Sequence, residues 1–250
     1  MNLYTSIKKE FLKSGFCIVK SFFTADEIDN LDNSIKKFLD EKSSFLKGKD
    51  INKTKNNQVN TMHDIDKHEK YFKEFSHKKK ILDLANFLLE TEVEFRKCEM
   101  FAKPAKVGMA SPMHQDNYLW AVKNNKGLTF WVALDYCDQT NGGLTYIPFS
   151  HTKGILEHED SFAPGTSQKI KKNILDKEFD NTSYITPVLE RGDVLIHHCL
   201  TVHGSNVNTS DKNRRGFTIQ FKDKNSPYDD ELLKHYQERL QVQLRLRNQI

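Results

Sequence analysis

The spacing of apolar residues changes from helical to strand-like near residue 92, and this change constrains the fold more than any other feature. Before it, apolar side chains recur at helical spacing within residues 28–39 and 81–89. After it come seven or eight short β-prone runs, separated by turn signals such as Asn141-Gly142-Gly143. Short strands in that order are typical of antiparallel barrels and double-sheet folds. The sequence therefore predicts a mainly β (α+β) fold, a jelly-roll, cupin-like barrel with flanking N-terminal helices and a C-terminal helix over residues 228–247.

Two stretches interrupt this pattern. Residues 41–62 are polar, rich in Asn and Lys and without a sustained period, and residues 151–183 are charged and irregular with one short possible helix. Loops of that length inside a domain are usually functional or disordered. We therefore interpret residues 1–250 as a single domain, with the core barrel at about 92–222 and with 41–75 and 151–183 as substrate loops or a lid. Three histidines in or after the first stretch are interpreted as solvated: His63, His68 and His77.

Charge and hydropathy argue against several classes of protein. The formal net charge is +4, and the lysines are interspersed with Asp and Glu, without the basic, aromatic-interleaved face of a nucleic-acid binder. No apolar run has the length of a membrane span, and the first residues lack the apolar core of a signal peptide. We expect a cytoplasmic protein that binds neither nucleic acid nor membranes and is either a monomer or a homo-oligomer. Four widely spaced cysteines are expected to be buried free thiols: Cys17, Cys98, Cys137 and Cys199.

Two possible metal ligands stand two residues apart in a predicted strand. They are His114 and Asp116, within the stretch Met113 to Trp120. Residues i and i+2 of a strand project to the same face, so this pair offers two corners of a metal site. Two His and one carboxylate leave three positions of an octahedral metal open, as in non-haem Fe(II) oxygenases. The pair alone is a weak signal, because His-x-Asp also occurs among ordinary surface residues.

His203 is the first candidate for a third ligand. It ends a predicted strand, and the small Gly204 and Ser205 that follow leave room for bound molecules. His197 and His198 are alternatives on the same strand. We expect His198 to be a neighbour that orients the ligands, since metal ligands usually have such partners. A histidine on such a strand is otherwise more often a core residue.

Arg214 and Arg215 stand at the start of the last predicted strand. A guanidinium there can bind a carboxylate through two parallel hydrogen bonds. Because successive residues of a strand face opposite sides, only one of the two arginines can point into the barrel. A solvated pair at a strand edge is the alternative interpretation.

The order of these motifs resembles the phytanoyl-CoA dioxygenase family of iron(II)- and 2-oxoglutarate-dependent oxygenases. Single motifs are at most moderately specific, whereas the ordered series is highly specific and covers roughly residues 8–222. The matching segments are Gly15-Phe16, Phe22-Phe23-Thr24 with Glu27-Ile28, Lys103-Pro104, His114-Gln115-Asp116, Thr129 to Asp135, Asn141 to Leu144, Ile147-Pro148 with Ser150-His151, Arg191 to Val194, and His203-Gly204-Ser205 with Asn208, Ser210, Arg214 and Arg215.

The resemblance implies a double-stranded β-helix in which His114, Asp116 and His203 bind Fe(II) and carry the catalysis. It implies that 2-oxoglutarate chelates the metal through its keto-acid end. The far carboxylate of 2-oxoglutarate would bind Arg214, with Arg215 as the fallback because this spacing varies by a residue.

Further site residues follow from the same resemblance. Trp131 matches an aromatic position that lines the cosubstrate pocket in relatives, and Ser205 and Gln115 would border that pocket. A core aromatic on a barrel strand is the alternative interpretation of Trp131. Halogenating relatives replace the ligand carboxylate with a small residue, so the intact Asp116 favours hydroxylation.

The implied reaction hydroxylates an unactivated C–H bond of a small metabolite, consuming O₂ and converting 2-oxoglutarate to succinate and CO₂. Four lysines of the irregular stretches would suit an anionic substrate such as a carboxylate, phosphonate or acyl thioester: Lys53, Lys55, Lys153 and Lys169. Two other interpretations stay open. One is a non-catalytic jelly roll that binds a metal or ligand, and the other is a cupin-like oxygenase that needs no 2-oxoglutarate.

Overall fold

The computed structural model describes residues 3–46, 50–163, 166–180 and 182–246. The α-helices within these ranges are Leu3–Ser14 (α1), Ala25–Lys42 (α2), Lys70–Ser76 (α3), Lys79–Leu89 (α4), Asp116–Trp120 (α5), Lys172–Phe179 (α6) and Asp230–Leu246 (α7). The β-strands are Phe16–Val19 (β1), Ile51–Lys53 (β2), Val59–Met62 (β3), Val93–Lys103 (β4), Ser111–His114 (β5), Gly127–Ala133 (β6), Leu144–Tyr146 (β7), His158–Ala163 (β8), Thr166–Ile170 (β9), Val194–His198 (β10), His203–Ser205 (β11) and Arg214–Asp223 (β12).

These strands form two antiparallel sheets and a separate hairpin. A seven-stranded sheet has the order β1-β10-β6-β12-β4-β3-β2, and a three-stranded sheet has the order β5-β11-β7. The hairpin consists of β8 and β9. Strands distant in sequence lie side by side, with β10 between β1 and β6 and β12 between β6 and β4. The prediction of a mainly β jelly roll with flanking helices is confirmed.

The two faces of the seven-stranded sheet differ because β12 alternates. Phe217, Ile219 and Phe221 are fully buried in the main hydrophobic core, which α1 to α4 complete. Thr218 and Gln220 lie on the other face and line a cavity. Successive side chains of a strand project to opposite faces. One face therefore stabilises the fold, at about 1.5–3 kcal/mol for each large apolar side chain buried, and the other is available for binding.

The start of α2 follows from a local sequence signal. The Thr24 hydroxyl accepts a hydrogen bond from the Glu27 backbone N–H (3.2 Å), and the Glu27 carboxylate accepts one from the Thr24 N–H (3.0 Å). This reciprocal capping box satisfies two donors that the helix leaves free. The apolar stripe that follows, including Ile28, Leu31 and Ile35, is buried against the core.

The polar stretch 41–62 contains a hairpin, so the prediction of a long loop there is wrong. β2 pairs with β3, and β3 extends the large sheet by placing Thr61 opposite Phe101 of β4. These strands have only three and four residues, too few for a periodic signal. Their polar residues Asn52 and Asn60 line the cavity, which explains why the stretch does not look like a strand.

Two predicted strands also end earlier than expected. β10 ends at His198 in the large sheet, and β11 begins at His203 in the small one, where a single strand was predicted. The predicted strand through the His-x-Asp pair ends at His114, and Asp116 instead opens α5. The prediction that His114 and Asp116 project from the same face of one strand is therefore wrong. The two residues still converge, because the chain turns at Gln115.

The cysteines and the hydropathy of the helices are the remaining features of the fold. The four cysteines are free and buried, as predicted. Among the described residues, no helix is both long and apolar enough to span a bilayer.

Candidate metal centre

Two neighbouring strands of the small sheet bring two histidines together. His114 of β5 stands directly opposite His203 of β11, and the centroids of their rings are 4.3 Å apart. Asp116 reaches the same point from the first turn of α5. Its Oδ1 lies 3.8 Å from the Nε2 atom of each histidine. Within the described residues, these three form the one group of His, Cys, Asp or Glu side chains with the geometry to hold a metal ion.

The orientation of both rings is set by backbone carbonyls. Nδ1 of His114 donates to the carbonyl of Pro112, and Nδ1 of His203 donates to the carbonyl of Thr201, each at 2.9 Å. The protons are therefore on Nδ1, which leaves the Nε2 lone pairs directed towards Asp116. Metal-binding histidines usually donate their other ring N–H in this way.

The second oxygen of Asp116 is held from the large sheet. The Thr129 hydroxyl of β6 donates to Oδ2 at 2.8 Å, and Nε2 of His197 of β10 donates to it at 3.1 Å. The Tyr146 hydroxyl then bonds to Nδ1 of His197 at 2.9 Å. One carboxylate oxygen is thus fixed, and the other faces the two ligand histidines.

The orienting neighbour is therefore His197, and the expectation that it would be His198 is wrong. The two residues project to opposite faces of β10. His198 lies towards α1, with its ring centroid 6.0 Å from that of Phe11. Its Nδ1 accepts a hydrogen bond from the Leu200 backbone N–H (3.1 Å). The sequence could not separate the two, because the phase of the strand relative to the cavity is a tertiary property.

Burial and neighbouring groups together determine the protonation states of the three candidate ligands. It lowers the pKa of His203 and of His114, because an imidazolium there would lose its hydration. Burial alone would raise the pKa of Asp116, but the His197 hydrogen bond and the nearby rings hold it well below its usual range. At neutral pH the site presents two neutral imidazoles and a carboxylate, which are the forms that bind a metal.

A cavity of about 550 Å³ extends from these ligands between the sheets. Arg214 lines it and is almost fully buried. Its guanidinium donates to the Gly142 carbonyl (2.8 Å) and lies 5.5 Å from the Trp131 ring centroid. Its buried Nε has no hydrogen-bond partner among the described residues. Burial lowers the pKa of Arg214 to about 10, so the group remains a cation at neutral pH. An anionic oxygen would satisfy the free donor.

Arg215 points to the opposite side of β12. It donates to Asp135 through Nε (2.9 Å) and Nη2 (2.8 Å), and to Asp32 of α2 through Nη1 (2.5 Å). The Arg215 donors are therefore occupied by these two carboxylates, and the contact with Asp32 holds α2 against the sheet. Of the two arginines, Arg214 is therefore the one that faces the cavity.

The remaining residues expected in the cosubstrate pocket differ in position. Trp131 and Ser205 line the cavity. Space for the Trp131 ring exists because residue 216 is glycine, where a Cβ would come within 2.0 Å of the indole Cζ2. Gln115 lies elsewhere: its amide donates to the carbonyls of Gly154 (2.8 Å) and Leu200 (2.7 Å). Gln115 is not among the described residues that line the cavity, and a place for it beside 2-oxoglutarate stays a prediction.

Several cavity residues were missed from the sequence. Lys103 belongs to a recognised motif but was assigned no role; its ammonium donates to the Met109 carbonyl (2.7 Å), and burial and the nearby Arg214 lower its pKa to about 6. His63 was interpreted as solvated, yet it lines the cavity, with its Nδ1 2.6 Å from a carboxylate oxygen of Glu99. His68 and His77 are exposed, as expected.

The lysines of the irregular stretches do not support the anionic-substrate hypothesis. None of the four belongs to the cavity lining formed by the described residues. Lys153 pairs with Glu178 at 3.0 Å, and Lys169 pairs with Glu159 at 3.2 Å. Lys53 and Lys55 are exposed.

A jelly roll with two imidazoles and a carboxylate meeting in its cavity defines a class of non-haem metal proteins, in which Fe(II) oxygenases use this donor set. The family model for phytanoyl-CoA dioxygenase (PhyH) matches residues 11–216. The chain belongs to the phytanoyl-CoA dioxygenase family.

Curated relatives agree with this assignment. A phytanoyl-CoA dioxygenase domain-containing protein 1 from Rattus norvegicus is 29% identical over 189 residues, covering 72% of this chain and 60% of that protein. Its Danio rerio counterpart is 27% identical, covering 63% of this chain and 54% of that protein. The chain thus spans little more than half the length of these relatives. A probable alpha-ketoglutarate-dependent hypophosphite dioxygenase from Stutzerimonas stutzeri is 23% identical, covering 88% of this chain and 78% of that protein.

Solved structures with low sequence identity share the fold. The non-heme alpha-ketoglutarate-dependent carbocyclase SnoK from nogalamycin biosynthesis superposes with a TM-score of 0.76 at 20% identity, over 91% of this chain and 87% of its own. EctD from S. alaskensis, solved with 2-oxoglutarate and 5-hydroxyectoine, gives 0.74 at 20% identity, over 92% and 78%.

Proposed function

We propose that this protein is an Fe(II)- and 2-oxoglutarate-dependent dioxygenase that hydroxylates an unactivated C–H bond of a small metabolite. Succinate and CO₂ are the other products. The observation that carries the proposal is the buried convergence of His114, Asp116 and His203 in a cavity that also holds the partly unsatisfied Arg214. Membership of the phytanoyl-CoA dioxygenase family supports it.

The donor set and the free guanidinium donor fit both groups. Nε2 of His114, Nε2 of His203 and Oδ1 of Asp116 would hold Fe(II), and Arg214 would bind the far carboxylate of 2-oxoglutarate. When bound, the iron and 2-oxoglutarate supply the activation of O₂ that side chains lack. Trp131 supports the guanidinium by lying 5.5 Å from it.

The protein's own contribution is to keep one Asp116 oxygen free and to keep water out. Thr129 and His197 occupy Oδ2, so that Oδ1 is available to a metal. The cavity wall is completed by α7, whose Leu240 and Leu244 line it. Walls that limit the access of water protect a reactive centre from side reactions.

The two irregular stretches have separate places in this proposal. Within 151–183, the β8–β9 hairpin contacts α7 and contributes Ser167 to the cavity lining. Within 41–75, β2 and β3 contribute polar wall residues such as Asn60. Both would bound the substrate pocket of a single domain spanning residues 1–250, with the core barrel at 92–222. The buried free thiols support a reducing, cytoplasmic location.

The proposal is tested by titrating Fe(II) and 2-oxoglutarate anaerobically into the protein and recording the weak visible charge-transfer band of the chelate. We expect the band in the wild type and its loss in His203→Ala. His198→Ala is the matched control, because His198 is a nearby histidine that faces away from the ligands; it should keep the band.

A fully metal-loaded wild type without the band would contradict the proposal. That result would favour the non-catalytic binding protein. A band that persists in His203→Ala would show that another residue completes the site.

A further inference from the structure

An irregularity in β4 directs two adjacent cations into the cavity. In the pairing with β12, Gln220 stands opposite Lys97 and Phe221 opposite Phe95, so Arg96 is an extra residue without a cross-strand partner. A β-bulge of this kind changes the direction of a side chain and is common beside functional sites. Arg96 and Lys97 both line the cavity as a result, although neighbours in a regular strand face opposite sides.

Arg96 is only partly satisfied by the protein. Its Nη1 donates to the Gln220 side-chain oxygen at 2.8 Å, and its guanidinium carbon lies 4.4 Å from the Trp120 ring centroid. Its buried Nε has no hydrogen-bond partner, and the side chain forms no ion pair, as far as the described residues extend. A buried donor without a partner is costly. Gln220 and Trp120 therefore hold the planar Arg96 guanidinium in place with a donor available to an oxyanion.

Lys97, Glu99, His63 and Asp64 on this wall pair with one another and not with Arg96. Glu99 accepts hydrogen bonds from Lys97 (2.8 Å) and His63 (2.6 Å), and Lys97 lies 3.7 Å from Asp64. Burial would raise the pKa of Glu99, but Lys97 and His63 lower it to about 2. Among the residues that the structure describes, no carboxylate pairs with the positive charge of Arg96. Asp50 also lines the cavity, beside β2.

Arg96 and the arginine assigned to 2-oxoglutarate belong to different ends of the cavity. Gln220, which holds Arg96, lies six positions after Arg214 on β12, about 20 Å along an extended strand. It stands opposite Thr129, the residue that donates to Asp116. Gln220, which holds Arg96, therefore lies at the level of Thr129 in the sheet, well separated along β12 from Arg214.

We propose that Arg96 binds the anionic group of the substrate, a carboxylate or a phosphoryl group, and so determines which molecules are oxidised. The inference rests on the proposed function for its meaning. It identifies the substrate as a compact molecule whose oxyanion lies at Arg96 while its reacting carbon lies near His114, Asp116 and His203. The bidentate guanidinium geometry suits either kind of oxyanion.

Simple oxyanions and their neutral analogues test this assignment by calorimetric titration. The probes are butyrate against butyramide and inorganic phosphate against trimethyl phosphate, titrated into the metal-free protein and into the anaerobic Fe(II)–2-oxoglutarate complex. We expect one of the two anions, and neither neutral analogue, to bind the wild type. Arg96→Gln should weaken that binding by roughly 10- to 100-fold, and Arg96→Lys by less.

A reciprocal variant separates this inference from the proposed function. Arg214→Gln should weaken 2-oxoglutarate binding and remove any probe bound at Arg214 itself while keeping the probe bound at Arg96, whereas Arg96→Gln should leave the charge-transfer band intact. Lys123→Gln removes an exposed cation and should change neither. Equal probe affinities in wild type and Arg96→Gln, or no oxyanion binding to the wild type, would overturn the assignment of Arg96 even if the band is present. A missing band would overturn the proposed function alone.

Discussion

Asp116 illustrates at the scale of a single residue how a carboxylate is prepared for a metal. One oxygen accepts hydrogen bonds from Thr129 and His197, while the other stands 3.8 Å from two imidazole nitrogens. The ionised form is favoured despite burial, because the surrounding donors stabilise its charge. In the proposed metal site, the partners of Asp116 would contribute to metal affinity without touching the ion.

Thr129→Val should therefore have a measurable effect on metal binding. The variant keeps the shape of the side chain but removes the hydroxyl that donates to Oδ2 at 2.8 Å. We expect metal affinity, measured by competition with a chelator, to fall about 10- to 100-fold. Thr218→Val is the control, since Thr218 lines the same cavity but donates to the Glu99 carbonyl. An unchanged affinity in Thr129→Val would show that its hydroxyl serves packing only.

At the scale of secondary structure, β12 contributes one face to the hydrophobic core and the other to the cavity. Its apolar residues face the helices, whereas Arg214, Thr218 and Gln220 on the other face line the cavity. Gly216 lies between Arg214 and Thr218 on that face and accommodates the Trp131 indole, which in turn lies beside the Arg214 guanidinium. A change at one glycine should therefore affect both the core and the cosubstrate end of the cavity.

Gly216→Ala tests this coupling. The added Cβ would lie 2.0 Å from the Trp131 ring, so the ring or the strand must move. We expect a loss of about 1–3 kcal/mol in the free energy of unfolding, as for other overpacked cores, together with weaker 2-oxoglutarate binding. The double variant Gly216→Ala with Trp131→Phe, which has a smaller ring, should recover part of the stability in urea denaturation. A single variant with wild-type stability would contradict the tight contact.

At the scale of the whole molecule, the cavity is closed by parts of the chain that are distant in sequence. Asp160 of the β8–β9 hairpin accepts hydrogen bonds from Arg239 Nε (3.0 Å) and Gln243 Nε2 (3.1 Å) of α7. Gln243 also donates to the Ser167 carbonyl at 2.8 Å. The hairpin therefore anchors the helix whose apolar side completes the cavity wall.

Asp160→Asn should loosen this attachment without disturbing the sheets. Partly exposed ion pairs contribute up to about 1 kcal/mol, which corresponds to about a fivefold increase in local opening. We expect faster amide hydrogen exchange across α7 and unchanged exchange in β6 and β12, measured by mass spectrometry. Asp176→Asn removes a carboxylate paired within α6 and serves as the control. Unchanged exchange in α7 would show that its apolar contacts hold it unaided.

The sequence by itself determined the jelly-roll class, the capping box that starts α2, the free cysteines and the family. It also identified three residues that the structure brings together as a group able to hold a metal ion: His114, Asp116 and His203. These conclusions depend on local signals and on residue types at set spacings. Both can be recognised without knowing which distant parts of the chain are in contact. The same signals left Arg214 and Arg215 as alternatives.

Only the tertiary structure decided which side each residue faces. It placed the Arg214 side chain in the cavity and the Arg215 side chain against α2. It also showed that His197 is the hydrogen-bond partner of Asp116. It also showed Arg96 directed inwards by a bulge. Each of these depends on strand register against a partner that is distant in the sequence, and a shift of one residue exchanges the two faces. Local periodicity carries no information about that register. The composition of the cavity wall is therefore a property of the tertiary structure alone.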